Sequence, residues 1–215
     1  MSFSSNYISK KHNRNKKHKK NKAAHNNHKQ QLISRNAILN NNRPQTVHLP
    51  KYNNTDEHFT NTVWNIWAHD KADTDFTNDS YKKCYTIRTF EDFWVFFNNV
   101  NDFSRHQFYI MRKNIAPIYE VKENINGGGL SFLIQNHHLV KQTLIETCIR
   151  VISENLVHPK YYAEITGIYL NPKKDGANLK IWFTNYEWLQ ANVNEIYIDD
   201  IKTLTSKRIS QHNKQ

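Results

Sequence analysis

Apolar side chains recur along the chain in two periods, and the switches between those periods outline the elements. "NTVWNIWAH" (61–69) alternates, with Val63, Asn65 and Trp67 on one face and Trp64 and Ile66 on the other, which predicts a strand with apolar groups on both faces. The polar run "DKADTDFTNDSYKK" (70–83) follows as a loop holding one phenylalanine. "TFEDFWVFFNNV" (89–100) predicts a helix: Thr89 is a good N-cap, Asp92 stands three residues on, and acids occupy the first turn, where the helix dipole favours them. Phe90, Phe93, Trp94 and Phe97 fall at i, i+3, i+4 and i+7, with Phe96 off that stripe. "QFYIMR" (107–112) and "LSFLIQ" (130–135) predict strands on either side of an irregular stretch. "HHLVKQTLIETCIRVISENL" (137–156) predicts a long helix with Leu144, Cys148, Val151 and Ile152 on its core face. "YYAEITGIYL" (161–170) and "LKIWFT" (179–184) flank the turn "NPKKDGAN" and predict a hairpin. "EWLQANVNEIYID" predicts a third helix, with a short strand after it. Helices interrupting short, hairpin-linked strands predict an α+β fold, an antiparallel sheet with helices on one face.

Charge divides the chain in a way that hydropathy does not. The mean hydropathy of −0.83 is low for a packed protein. However, residues 1–50 hold 11 Lys plus Arg and no acid, whereas 51–215 hold 19 basic and 19 acidic residues. The entire formal net charge of +11 therefore sits in a Lys/Asn/His-rich segment too poor in apolar residues to offset its ordering entropy. We expect a disordered basic tail over 1–50 and a folded domain over 51–215. The tail would attract polyanions, with RNA binding or nuclear import as the specific reading and a solvated tail of non-specific affinity as the plain one. His12, His18, His25 and His28 lack zinc-ligand spacing, so no metal is expected. In the 70–83 loop, D-x-x-D-x-D starts like a calcium loop, but Asp75 and Tyr81 stand where glycine and glutamate are needed. Cys84 and Cys148 are far apart and predict free thiols in a reducing compartment; no apolar run is long enough for a membrane span. Three of the five glycines form the cluster 127–129, which predicts backbone conformations other residues resist.

Several short motifs, in order, resemble the messenger-RNA cap-binding translation initiation factor 4E family from about His58 to at least Trp188. "TFEDFW" (89–94) is similar to the family's T-V-E-D-F-W, and the Trp64/Trp67 pair lies upstream at a family-like distance. "API-YE" (116–120) resembles E-P-M-W-E, "EN-x-x-GG" (123–128) resembles N-x-x-G-G, and "LKIWFT" resembles I-A-I-W-T. The resemblance implies a curved antiparallel sheet with about three helices on its convex face and a cap pocket on its concave face. There a 7-methylguanosine would lie between two aromatic rings with a glutamate on the guanine edge. Glu120 is implied as that reader and Tyr119, in place of the usual tryptophan, as one ring. The second family tryptophan falls by spacing on Thr77; Phe76 beside it is the first candidate and Tyr81 the second. Lys173 and Lys174, in the turn before the I-W strand, are implied phosphate ligands, with Lys180 third because alternation can turn it to the opposite face. Where the family has G-G-Arg/Lys-Trp this chain reads Gly127-Gly128-Gly129-Leu130, so one basic residue is missing. On the convex back, His58, Phe90, Trp94, Ile145, Glu146 and Ile149 are implied to bind a Tyr-x4-Leu-apolar helix of a scaffold factor or repressor, with core packing as the plain reading of Trp94.

The expected function is that of a non-catalytic, monomeric, cytoplasmic cap-binding factor without cofactor, either recruiting capped messenger RNA for translation or occupying caps as a repressor. The competing class is a general RNA-binding protein that relies on its basic tail and has no cap preference. No nucleophile–base pair, zinc cluster, P-loop or motif-placed carboxylate pair points to an enzyme.

Overall fold

The computed structural model describes residues 58–212; the basic segment 1–50 and the boundary at residue 51 lie outside the described residues. Strands β1 (Phe59–Asp70), β2 (Lys82–Thr89), β3 (His106–Arg112), β4 (Gly128–Ile134), β5 (Ile165–Pro172), β6 (Ala177–Phe183) and β7 (Thr205–Gln211) form one curved sheet. Their order is β2-β1-β3-β5-β6-β4-β7, and every neighbouring pair is antiparallel. Helices α1 (Phe90–Asn99), α2 (Val140–Ile152) and α3 (Tyr186–Asn192) all contribute to the core on one face.

Strand alternation explains this two-sidedness. Trp64 and Ile66 of β1, Phe108 and Ile110 of β3, and Ile181 and Phe183 of β6 point toward the helices. The intervening residues Trp67, Tyr109, Met111, Tyr169 and Trp182 point the other way, onto the open face. Each large apolar side chain buried in the main core is worth about 1.5–3 kcal/mol, so the helix-covered face drives folding.

Four elements differ from the sequence expectation; one is the third helix, expected over "EWLQANVNEIYID", which ends at Asn192 and gives way to a 3₁₀ turn over Val193–Glu195. In α1, Phe96 is buried with Phe93 and Phe97, while Trp94 is 45% exposed. The core stripe thus runs through Phe93, Phe96, Phe97 and Val100, and Phe90 and Trp94 lie at its margin. Helix α2 stops at Ile152 rather than 156, because Glu154 takes a left-handed φ of 59°. Its carboxylate pairs with Arg112 Nη1 at 3.2 Å and accepts a bond from Asn61 Nδ2 at 2.9 Å, which fixes the chain reversal. The segment Pro159–Glu164, expected to begin a strand at Tyr161, is a 3₁₀ helix started by Pro159, with the His158 ring accepting from Lys160 N–H. Arg112 also donates to the carbonyls of Tyr162 and Ile165, holding that turn against β3. Cys84 and Cys148 are both free. Among the described residues no helix is long and apolar enough to cross a membrane.

Candidate functional site

A continuous band of rings lines the open face. Pairing sets Trp67 opposite Tyr109, Tyr109 opposite Tyr169, Tyr169 opposite Lys180, Lys180 opposite Ser131, and Ser131 opposite Arg208. Tyr109 stacks on Tyr169 with centroids 4.5 Å apart and meets Tyr81 and Trp182 edge-on at 5.2 and 6.0 Å. Burial pushes the Tyr81 phenol up to about 12 and raises those of Tyr109, Tyr169 and Tyr119, so all four stay protonated hydroxyls at neutral pH.

Two loops rise over this band. In the first, Asp70, Asp73 and Asp75 each accept a bond from the backbone N–H two residues on, at 2.9 Å, giving three successive local turns. The aspartates that imitate a calcium loop are occupied in this way. The turns deliver Phe76 onto His69, ring on ring at 4.7 Å and 7°. His69 is fully buried and its Nε2–H donates to the Asp75 carbonyl at 2.7 Å, which fixes the platform under Phe76. Phe76 stays 46% exposed, whereas Tyr81 is buried against His69 and Tyr109. Of the two aromatic candidates, Phe76 presents a free ring face and Tyr81 lies beneath it in the band.

The second loop carries Tyr119 and Glu120, and Asn124 organises it. This fully buried amide donates to the carbonyls of Ala116 at 3.1 Å and Ile118 at 2.7 Å, clamping the turn just before Tyr119. The backbone carbonyl of Asn124 accepts from Gly127 N–H at 2.8 Å and from His212 Nδ1–H at 3.0 Å. Tyr119, Trp182 and His212 then form a triangle of rings with centroids 4.6–4.7 Å apart. Glu120 is exposed and accepts no hydrogen bond among the described residues. Its charge and that of Asp75 both act on the Tyr81 phenol, so both loops lie near that ring.

The glycine cluster corrects the sequence expectation. No glycine here has positive φ; the cluster leads into β4, and what it supplies is close approach. A Cβ on Gly127 would lie 2.2 Å from the Phe183 carbonyl oxygen, and one on Gly128 would lie 2.6 Å from the Tyr186 ring. A Cβ on Gly129 would lie 2.4 Å from Lys180 Cδ.

Lys180 therefore lies on the open face, not the opposite one, with Nζ 6.0 Å from the Tyr119 ring centroid. Burial lowers its pKa. Lys173 and Lys174 are exposed at the tip of the β5–β6 hairpin, where Lys173 N–H closes the turn onto Gly176 O at 2.9 Å. Phe76, Tyr119, Glu120 and Lys180 thus share one face, with Lys173 and Lys174 at the end of the strands that carry it. Trp182, His212, His69 and Arg208 complete the surface and were not assigned from the sequence. The alternation of "LKIWFT" puts Lys180 and Trp182 on one side and could have revealed the pair.

The remaining candidates lie on the helix-covered side. His58 pairs with Glu91 at 2.9 Å, beside Phe59, which is 69% exposed. Trp94 meets Phe93 edge-on at 5.1 Å and projects outward. Phe90, Ile145 and Ile149 are half-buried against the core, and Glu146 accepts from Gln142 at 2.9 Å. Lys141 donates to Asn101 at 2.8 Å, tying the start of α2 to the end of α1.

A seven-stranded antiparallel sheet with three helices on one face and an aromatic band on the other defines a class, and the comparisons identify the family. Residues 59–213 match the model of eukaryotic initiation factor 4E, and the chain belongs to that family. It is a divergent member. It is 24% identical over 135 residues to eukaryotic translation initiation factor 4E of Candida glabrata, covering 59% of this chain and 63% of that one. With the Dictyostelium discoideum factor it is 24% identical over 126 residues, covering 55% and 49%. The match thus spans about half to two thirds of the length of these relatives. Among solved structures, Ascaris suum eIF4E-3 in complex with the m2,2,7G cap superposes with a TM-score of 0.64 at 18% identity, covering 74% of this chain and 94% of that one. A schistosome eIF4E complexed with m7GpppA and 4E-BP gives a TM-score of 0.58 at 20% identity, covering 68% and 81%. The resemblance in the motifs and the expected fold both hold.

Proposed function

We propose that this protein binds the 7-methylguanosine cap of messenger RNA on its open face and passes it to the translation machinery through a partner helix docked over Trp94, without catalysis. The observation that carries this reading is the convergence on one face of an exposed Phe76 ring, the Tyr119 ring and an exposed Glu120 carboxylate that has no partner among the described residues. Methylation at N7 makes guanine cationic, so aromatic faces gain about 0.5–2 kcal/mol of cation–π attraction beyond stacking. A carboxylate accepts from guanine N1–H and the 2-amino group together, a charge-assisted pair. Lys173, Lys174 and Lys180 supply positive charge for the phosphates. The solved relatives carry ligands of this kind: a cap in the Ascaris protein, and a cap dinucleotide with a binding protein in the schistosome one. His58, Phe90, Trp94, Ile145, Glu146 and Ile149 form the partner surface in this reading. It also takes residues 51–215 as the binding domain, residues 1–50 as an accessory tail, and the cytoplasm as the working location.

The test is titration of the full chain with 7-methyl-GTP and with GTP, following tryptophan fluorescence; Trp182, 4.7 Å from Tyr119, is the reporter. We expect strong preference for the methylated nucleotide and its loss in Glu120→Ala. Equal quenching by both nucleotides would favour a general RNA-binding protein, the reading supported by the confinement of net charge to residues 1–50.

A further inference from the structure

We propose that Lys180 and Gly129 act as a coupled pair that sets the phosphate dependence of the open-face site: the glycine leaves the space in which the lysine stem lies, and the ammonium meets the nucleotide 5′-phosphate nearest the base. The inference deepens the cap-binding reading and rests on it for the place of the base.

Lys180 projects from the same face of β6 as Trp182, so its side chain belongs to the aromatic surface. Its stem runs diagonally over β4 at Gly129, where a Cβ would lie 2.4 Å from Cδ, 2.7 Å from Cγ and 3.2 Å from Cε. No side chain other than hydrogen at 129 admits that path. The ammonium arrives 6.0 Å from the centroid of Tyr119, half-buried, and makes no ion pair or hydrogen bond among the described residues. A lysine that only solvates a surface extends its head into water. This one is brought down beside a ring and left without an anion, so the matching ligand is an anion that arrives with a base. A base stacked on Tyr119 carries its 5′-phosphate one ribose away, within reach of a flexible ammonium. Position 129 is also where the motif resemblance expects a basic residue. The positive charge missing from β4 is thus supplied by the neighbouring strand across the ladder.

The experiment uses the full chain and four ligands: 7-methyl-GTP, 7-methylguanosine, GTP and guanosine. The quantity read is the ratio of triphosphate to nucleoside affinity. For Lys180→Met we expect this ratio to fall roughly 10- to 100-fold, the worth of one charge-assisted contact. Gly129→Ala keeps the charge but pushes the stem aside, and it should lower the same ratio in a protein whose folding is checked by its melting curve. Because both substitutions act on one contact, the double variant should lose no more than Lys180→Met alone. An unchanged ratio in Lys180→Met, or losses that multiply in the double variant, overturns the pair. Failure of the cap reading looks different: the wild type would bind methylated and plain bases alike, and the ratio would then be read with GTP and guanosine. Absence of any nucleotide binding overturns both.

Discussion

His212 is a histidine whose chemistry is set by burial. Only 3% exposed, it keeps Nδ1–H on the Asn124 carbonyl and packs its ring on Tyr119 and Trp182. Burial holds its pKa down to about 4 against an ordinary 6.5, with the Lys180 charge acting in the same sense. The unfolded chain therefore binds a proton that the fold refuses between those values. Stability from this group is full above pH 6.5 and declines as pH falls toward 4, by roughly 3 kcal/mol at most. His212→Phe keeps a stacked ring and removes the proton. Its melting temperature should drop less between about pH 7 and pH 5 than that of the wild type, and equal drops would show that His212 is not the responsible group. Tyr119 and Glu120 could be singled out in the sequence because they sit in a dense local motif. His212 was not, since its partner Asn124 is 88 residues away and the segment around it is polar without a recognisable spacing.

Helix α1 separates two kinds of aromatic on one element. Its start is fixed by a reciprocal capping box, Thr89 Oγ1 accepting from Asp92 N–H at 3.1 Å and Asp92 Oδ2 accepting from Thr89 N–H at 3.3 Å. Thr89→Ala should lower stability by about 1 kcal/mol, seen as a shift in the melting curve. Trp94→Ala should behave in the opposite way: melting barely changes, 7-methyl-GTP binding persists, and capture of a Tyr-x4-Leu-apolar peptide, read by fluorescence polarisation, is lost. A melting loss as large as that expected for a buried Phe93 would instead make Trp94 a core residue. Capping chemistry is local, which is why the sequence predicts this helix to within a residue at each end. The end of α2 is not local: Glu154 turns left-handed where Arg112 and Asn61, far away in sequence, receive its carboxylate.

On the scale of the whole chain, net charge and the described fold fall in different stretches of the sequence. Residues 59–212 carry the fold and the aromatic band, while residues 1–50 carry the whole net charge. Affinity for uncapped RNA should fall steeply with salt in the full chain, each neutralised phosphate of a single strand adding about 0.7 to the logarithmic slope. Deleting residues 1–50 should flatten that slope and leave 7-methyl-GTP affinity unchanged; a steep slope surviving the deletion would locate the RNA contact in the domain. Sheet order was the part of the fold least open to sequence reasoning, because β4 sits between β6 and β7, two strands made after it. That insertion has a consequence for synthesis. During translation at about 5–20 residues per second, Asn124 waits roughly 4–18 s for the imidazole it will hold, 88 residues later. Until then β4 lacks its β7 neighbour and Tyr119 lacks the imidazole of its ring triangle, so a half-made copy still on the ribosome has an unfinished open face.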